Sequence, residues 1–401
     1  MNRSKICLAS AALLVLAVAG CASSSSSSGG GSASKLTGTG SPVDLLVIAT
    51  TQSPAFSYPE SNSGAEAAAD AINAAGGING HPVKISTCND QLQSSQAALC
   101  ASQAVQDHVA AVVGGFSLLG PEIFPTLEQA NIPWVGSEPI SSIDGQSIMS
   151  FPLQGGTAIS YTSMPLVAAK YANAKSFMYM QIEGPTNSAN AAEVKRGASQ
   201  AGVQEVDSVI YPQTVMDWSP YLGTVRSKKP DAILISGPES AVFAFMREEA
   251  SEGINVPVIS AGSGFSAQDV IKQGSIIKNL MLVDTVPPTT DTSLDGISEF
   301  TSDMNKYQSS AVQDSHSLMS WAAVKFVQTL ASNMSGDITS AKLIAAANKY
   351  DSKFLWFSSL SYSTQGEAVP NEPRIPSFLQ TSYVQQFTGG PGKLLGTVSL
   401  K

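Results

Sequence analysis

Charged side chains are scarce in this 401-residue chain, at 13% of positions, and aromatic ones are scarcer still at 7%. Cations are the rarer sign: 22 Lys and Arg stand against 31 Asp and Glu, for a formal net charge of −9. No Lys/Arg run or basic patch interrupts the sequence, so nucleic acid is not expected as a partner. Histidine is almost missing. His81, His108 and His316 stand far apart without ligand spacing, and spacing therefore gives no reason to expect a metal or other cofactor. None of the three has an evident Ser and Asp partnership. The one segment resembling a nucleophile elbow, Gly115-Phe116-Ser117-Leu118-Leu119-Gly120, brings its second glycine one residue late for G-x-S-x-G. The acid pair Glu248-Glu249 sits in a polar helical stretch and reads as a solvated face. No catalytic constellation emerges, and an enzyme is not expected. Long apolar runs are also lacking: after residue 20 no stretch approaches the roughly 20 residues needed to span a bilayer.

What is present begins with an export signal. Arg3 and Lys5 precede an apolar run from Ile6 to Ala19, broken only by Cys7 and Ser10 and too short to stay in a membrane. Val18-Ala19-Gly20-Cys21 resembles the bacterial lipobox, which implies that residues 1–20 are removed and that Cys21 is lipidated. Residues 21–41 are then a Ser/Gly-rich tether with too little apolar surface to offset its conformational entropy. A flexible chain of that length has an end-to-end distance of about 25 Å. Two of the four cysteines remain beyond it, Cys88 and Cys100, and outside the cytoplasm such a pair more often forms a disulfide than a metal site.

From Pro42 onward the chain is long enough for two domains. Apolar strand-like runs alternate with helical patterns. Strands are expected at Val43–Ala49, Val83–Ser86, Ala110–Val113 and Ile132–Val135, with helices at Gly64–Ala75 and Ser94–His108 between them. The rhythm restarts with strands at Ser176–Gln181, Val206–Tyr211, Ala232–Ser236 and Val256–Ser260, and helices at Ala189–Ala201, Trp218–Lys228 and Ala241–Ser251. Repeated β-α-β units predict an α/β fold of two doubly wound parallel-sheet lobes. Such sheets bind ligands beyond the carboxyl ends of their strands, so two facing lobes make a cleft.

Asn73-Ala74-Ala75-Gly76-Gly77-Ile78-Asn79-Gly80-His81-Pro82-Val83 resembles the N-x-x-G-G-I-x-G-x-P-V signature of Leu/Ile/Val-type solute-binding proteins, the type I periplasmic binding proteins that serve ABC importers. Gly64-Ala65-Glu66, Asp217-Trp218-Ser219 and Pro230-Asp231-Ala232 extend the resemblance over residues 43 to 400. It implies three crossings between lobes, near Ser150–Gly155, Val283–Pro288 and Leu355–Ser359. The first lobe is then 42–153 plus 287–354, and the second 154–286 plus 355–401. It also implies a disulfide between the end of the second strand and the next helix, where Cys88 and Cys100 lie. The expected ligand contacts fall in loops after the strands: Tyr58, Phe116, Ser117, Leu118, Ser137, Glu138 and Pro139 in the first lobe, and Asn187, Pro238 and Ser263 in the second. Trp134 either joins the apolar wall or belongs to the core.

The sequence departs from amino-acid-binding relatives at two of these positions. They usually carry a small residue where Glu138 stands, and an acid for the ammonium group near Ser263. If Glu138 points inward, the ligand is neutral or cationic there; if it faces solvent or pairs with a nearby cation, a branched-chain amino acid remains open. The resemblance therefore implies a monomeric, lipid-anchored receptor for a small polar or amphipathic solute that hands it to the permease of an ABC importer. A sensory ectodomain built on the same clamshell is the alternative. Gly262-Ser263-Gly264-Phe265-Ser266-Ala267, with Asp284 beyond it, also fits the dinucleotide pattern G-x-G-x-x-A. Its mid-chain position and a lipid-anchored location argue against NAD.

Overall fold

The structure, a computed structural model, describes residues 38–53, 57–184, 187–262, 264–265, 267–362, 367–388 and 392–400. The segment expected to be an export signal, Cys21 and Ser263 lie outside them. Just before Pro42, the Gly40 amide donates to the Gly80 carbonyl and the Ser41 hydroxyl donates to Asp337.

The first lobe runs β1 (Val43–Ala49), α1 (Glu60–Ala74), β2 (Val83–Asn89), α2 (Ser94–Gln106), β3 (Ala111–Val113), α3 (Gly120–Ala130), β4 (Trp134–Val135), α4 (Ser142–Gln146) and β5 (Ser150–Phe151). Its five strands form a parallel sheet in the order β2-β1-β3-β4-β5. Alternation along β1 feeds two cores at once. Leu45 and Val47 join α1 on one face, whereas Leu46 and Ile48 join α2, α3 and Trp134 on the other. Covering both faces explains why β1 reads as an almost unbroken apolar run. Trp134 is core, its indole N–H donating to the Gly114 carbonyl.

The second lobe runs α5 (Gly156–Tyr171), β6 (Ser176–Ile182), α6 (Asn187–Ala201), β7 (Gln204–Tyr211), α7 (Ser219–Lys228), β8 (Ala232–Ser236), α8 (Glu239–Ser251), β9 (Val258–Ala261), α9 (Ala267–Lys272) and β10 (Leu280–Asp284). Next come α10 (Ile297–Tyr307), α11 (Ser315–Ala331) and α12 (Ser340–Lys349), with α10 and α11 packed on α1 in the first lobe's core. A hairpin, β11 (Asp351–Phe354) and β12 (Phe357–Ser361), precedes β13 (Thr381–Gln386) and β14 (Lys393–Ser399). The second sheet has the order β14-β13-β10-β9-β8-β6-β7, parallel from β10 to β7 and antiparallel at β13 and β14.

The chain passes into the second sheet for the last time at Thr381, later than the expected crossing at Leu355–Ser359. Leu355 instead lies at the turn of the β11–β12 hairpin with φ 47°. The reason is burial: Phe354 and Leu360 belong to the first lobe's core. The segment after the hairpin packs on both lobes: the Arg374 guanidinium donates to the Ser150 carbonyl and stacks over Phe151, while Ala368, Val369, Ile375 and Leu379 cluster with Ile159 of α5 and with Leu400.

The Gly-Gly signature acquires a local cause. The Asn73 side chain donates to the Val83 carbonyl and accepts from the Val83 amide, both at 2.8 Å, so it ties the end of α1 to the start of β2. Gly76 and Gly77 have φ of 101° and 80°, and a β-carbon on Gly77 would meet the His81 carbonyl oxygen at 2.3 Å. Only glycine turns the chain there without strain. One strand later, a disulfide joins Cys88 to Cys100, end of β2 to α2, across a sequence separation of 12. Closing so short a loop contributes about 3 kcal/mol by loss of unfolded-chain entropy.

Glu249 corrects the solvated-face reading of its helix. It is buried on α8, accepting from the Val256 amide at 3.0 Å, and burial pushes its carboxyl up to about 7. The folded protein thus holds this proton more tightly than the unfolded chain. Its contribution is most favourable below the ordinary carboxyl range and is lost as pH rises toward 7. Glu249→Gln keeps an acceptor for Val256 and removes the titration. At pH 8 the variant is expected to exceed the parent in unfolding free energy by on the order of 1–3 kcal/mol, with the gap narrowing toward pH 5. Denaturant melts of both proteins at the two pH values check this.

Candidate functional site

A cavity of about 240 Å³ lies where the carboxyl ends of the two sheets meet. The first lobe lines it with Phe116 and Leu118 after β3 and with Glu138 and Ile140 after β4. The second lobe supplies Asn187 after β6, Ser236 to Pro238 after β8, and Ala261 at the end of β9. This is the strand-end placement expected of doubly wound sheets.

Five residues singled out from sequence line this cavity: Phe116, Leu118, Glu138, Asn187 and Pro238. Four others do not line it. Ser117 is buried with its hydroxyl donated to Asp90 at 2.5 Å, while the Thr50 hydroxyl donates to the other Asp90 oxygen at 2.6 Å. Together they fix the β3 loop against β1. Pro139 presents its carbonyl to the Thr157 amide, joining the β4 loop to the start of α5. Ser137 is buried, and its hydroxyl finds no hydrogen-bond partner among the described residues. Tyr58 stands behind Phe116, as set out below.

Sequence reading missed Thr157, Ser160 and Tyr161 on α5, and Asn190 on α6, all of which line the cavity. A signal existed: Ser160-Tyr161-Thr162-Ser163 is a polar run in an otherwise apolar helix. It is a weak one, because the family resemblance points to loops after strands and not to helix faces. The cavity wall therefore combines apolar rings, hydroxyls and two amides with one carboxylate. Glu138 is its single charged lining residue among those described, and it is 7% exposed.

An aromatic cluster backs this wall. The Tyr58 ring stacks on His316 at 4.0 Å between centroids and meets Phe116 edge-on at 5.0 Å. Phe116 also meets His316 edge-on at 5.2 Å. His316 lies in the first turn of α11, capped by Asp314, whose Oδ1 accepts from the Ser317 amide at 3.0 Å. The other Asp314 oxygen lies 3.6 Å from His316 Nδ1, and Glu60 Oε1 lies 3.9 Å from the same nitrogen. Burial favours neutral imidazole, yet the carboxylates of Asp314, Glu138 and Glu60 outweigh it and raise His316 to about 9. Burial, then the charge of Asp314, pushes Glu60 up to about 7. Tyr58 is raised beyond its ordinary range by burial and by the neighbouring carboxylates, Glu138 foremost, and is a neutral phenol. Nothing in the spacing of Glu60, Asp314 and His316 signals this meeting.

A sequence profile of the periplasmic binding protein family matches residues 42–357. The chain belongs to this family. These periplasmic binding proteins are solute receptors rather than enzymes, and the dinucleotide reading of Gly262–Ala267 falls with that. No curated protein matches the chain at a significant level. Solved structures agree on the fold. A possible leucine/isoleucine/valine-binding protein from Rhodopirellula baltica superimposes with a TM-score of 0.73 at 14% identity, over 91% of this chain and 98% of that one. The branched-chain amino acid transporter substrate-binding protein from Streptococcus pneumoniae, solved with isoleucine, gives 0.70 at 17% identity over 90% and 99%. A fatty acid ABC transporter substrate-binding protein from Thermomonospora curvata gives 0.73 at 14% over 91% and 95%. Type I periplasmic binding proteins are extracytoplasmic, and no helix of the described residues is long and apolar enough to cross a membrane.

Proposed function

We propose that this periplasmic binding protein is the lipid-anchored receptor of an ABC importer, held by Cys21 on its Ser/Gly tether, and that it captures a small amphipathic solute bearing a positive or amide nitrogen. The observation that carries the solute class is Glu138: a buried carboxylate, the one charged lining residue among those described, in a cavity walled by Phe116, Leu118, Ile140 and Pro238. A carboxylate there repels anions and favours an ammonium or N–H donor, while the apolar rings take the hydrocarbon part. The amides of Asn187 and Asn190 and the hydroxyls of Ser160 and Tyr161 supply neutral polar contacts for the remainder. Solute first meets one lobe, and the second closes over it about the crossings that follow β5, β10 and β12. Closure presents the permease with a surface the open form lacks, and a monomer suffices for this.

A thermal-shift screen of the purified protein tests the reading. Amino acids, amides, polyamines and carboxylic acids without nitrogen are compared. Binding raises the melting temperature by mass action, and the rise is expected for ammonium- or amide-bearing solutes. A rise confined to the nitrogen-free acids overturns the solute class.

A further inference from the structure

We propose that Glu60, Asp314 and His316 form a binding site for one divalent transition-metal ion, zinc by its donor chemistry, where the N-termini of α1 and α11 meet. One imidazole nitrogen and two carboxylate oxygens lie within 4.8 Å of one another, all three residues buried. Imidazole with carboxylates suits zinc, whereas calcium calls for six or more oxygens. The separations fit. Tetrahedral zinc, with bonds of about 2.0–2.2 Å, sets neighbouring ligand atoms roughly 3.4 Å apart. Nδ1 is 3.6 Å from Asp314 Oδ2 and 3.9 Å from Glu60 Oε1, each within about half an ångström of that spacing.

The second observation is His316 itself. Its side chain is 4% exposed, and neither ring nitrogen has a hydrogen-bond partner among the described residues. Distances of 3.6 and 3.9 Å are too long for N–H···O bonds, which weaken beyond about 3.2 Å. Zinc between them would displace the proton that these carboxylates favour on the ring and give Nδ1 and both carboxylates a bond. Asp314 is divided in the same sense. Its Oδ1 caps α11, which leaves Oδ2 directed at Nδ1. A water-sized cavity of about 40 Å³ borders Asp314 on its other side, toward Asp284. Tyr58, stacked on the ring, holds the imidazole plane. The ion then pins the aromatic wall behind the solute cavity.

Zinc chloride titrated into the chelator-stripped full chain, without solute, is expected to bind at one site with a dissociation constant in the micromolar range or below. It should raise the melting temperature, and magnesium chloride should do neither. Glu60→Gln and His316→Gln are each expected to weaken zinc at least 30-fold. Asp314→Asn preserves the helix cap while removing the ligand charge, and so separates ligation from folding. Should one variant fail to fold, the others decide. Absence of zinc binding by the parent chain, or binding unchanged in Glu60→Gln and Asp314→Asn, overturns the site. The solute reading stands apart from either result.

Discussion

Glu138→Lys is expected to abolish capture of a cationic or amide-bearing solute, and Glu138→Gln to weaken it 10- to 100-fold. The lysine variant places like charges in one buried cavity. The glutamine variant keeps shape and acceptor but gives up the charge. Truncating one partner of a buried, hydrogen-bonded charge pair costs about 2–5 kcal/mol, which sets the scale for the full charge loss. Isothermal titration with the solute identified by the screen measures both. The unliganded fold provides the control. Glu138 is one of the carboxylates acting on Tyr58 and His316, so its removal changes the electrostatics of the aromatic wall as well as the cavity. Glu138→Gln should nonetheless melt cooperatively near the parent temperature. Affinity of Glu138→Gln within threefold of the parent would place the side chain outside the contact set and end the cationic reading.

How far the sequence alone carries can be judged at Glu138 and at its neighbours. The central strands of each sheet are legible where an apolar run stands between turn residues. Val43–Ala49 and Ala232–Ser236 appear with the expected bounds. The start of α1 was not legible. The helix begins at Glu60, a turn before Gly64, because its first turn carries polar residues that are buried against the cluster rather than solvated. Apolar periodicity is blind to a buried polar face. The last crossing was misplaced for a related reason: Phe354 and Leu360 are apolar in either lobe, and only packing shows which core they fill. Family resemblance reaches the loops after the strands, which hold the cavity-lining Phe116, Leu118, Glu138, Asn187 and Pro238. It could not reach Glu60, Asp314 and His316. Asp314 with Ser317 reads as a helix cap, a lone histidine reads as core, and their meeting is made by α1 lying against α11.

That meeting depends on Gly64, and Gly64→Ala is expected to destabilise the protein by about 2–4 kcal/mol, at or above the upper range for overpacking. A β-carbon on Gly64 would stand 2.0 Å from the Ser317 carbonyl oxygen and 2.7 Å from its carbon, contacts with backbone that no side-chain rotation relieves. Ser317 cannot yield cheaply. It is buried, its amide is held by Asp314, and its hydroxyl accepts from the Asp314 amide at 2.9 Å. The few tenths to about 1 kcal/mol that alanine gains over glycine in helix propensity does not offset such a clash. Gly223 on α7 isolates that propensity, since a β-carbon there meets nothing within 4 Å, and Gly223→Ala is expected to be neutral or mildly stabilising. Denaturant unfolding should therefore show a loss of stability in Gly64→Ala and none in Gly223→Ala. Glu60 lies one turn before Gly64 on the same face of α1. Forcing the helices apart at Gly64→Ala must also widen the Glu60–His316 gap, so lost stability and weakened zinc binding should appear together in that variant and in neither form at Gly223→Ala.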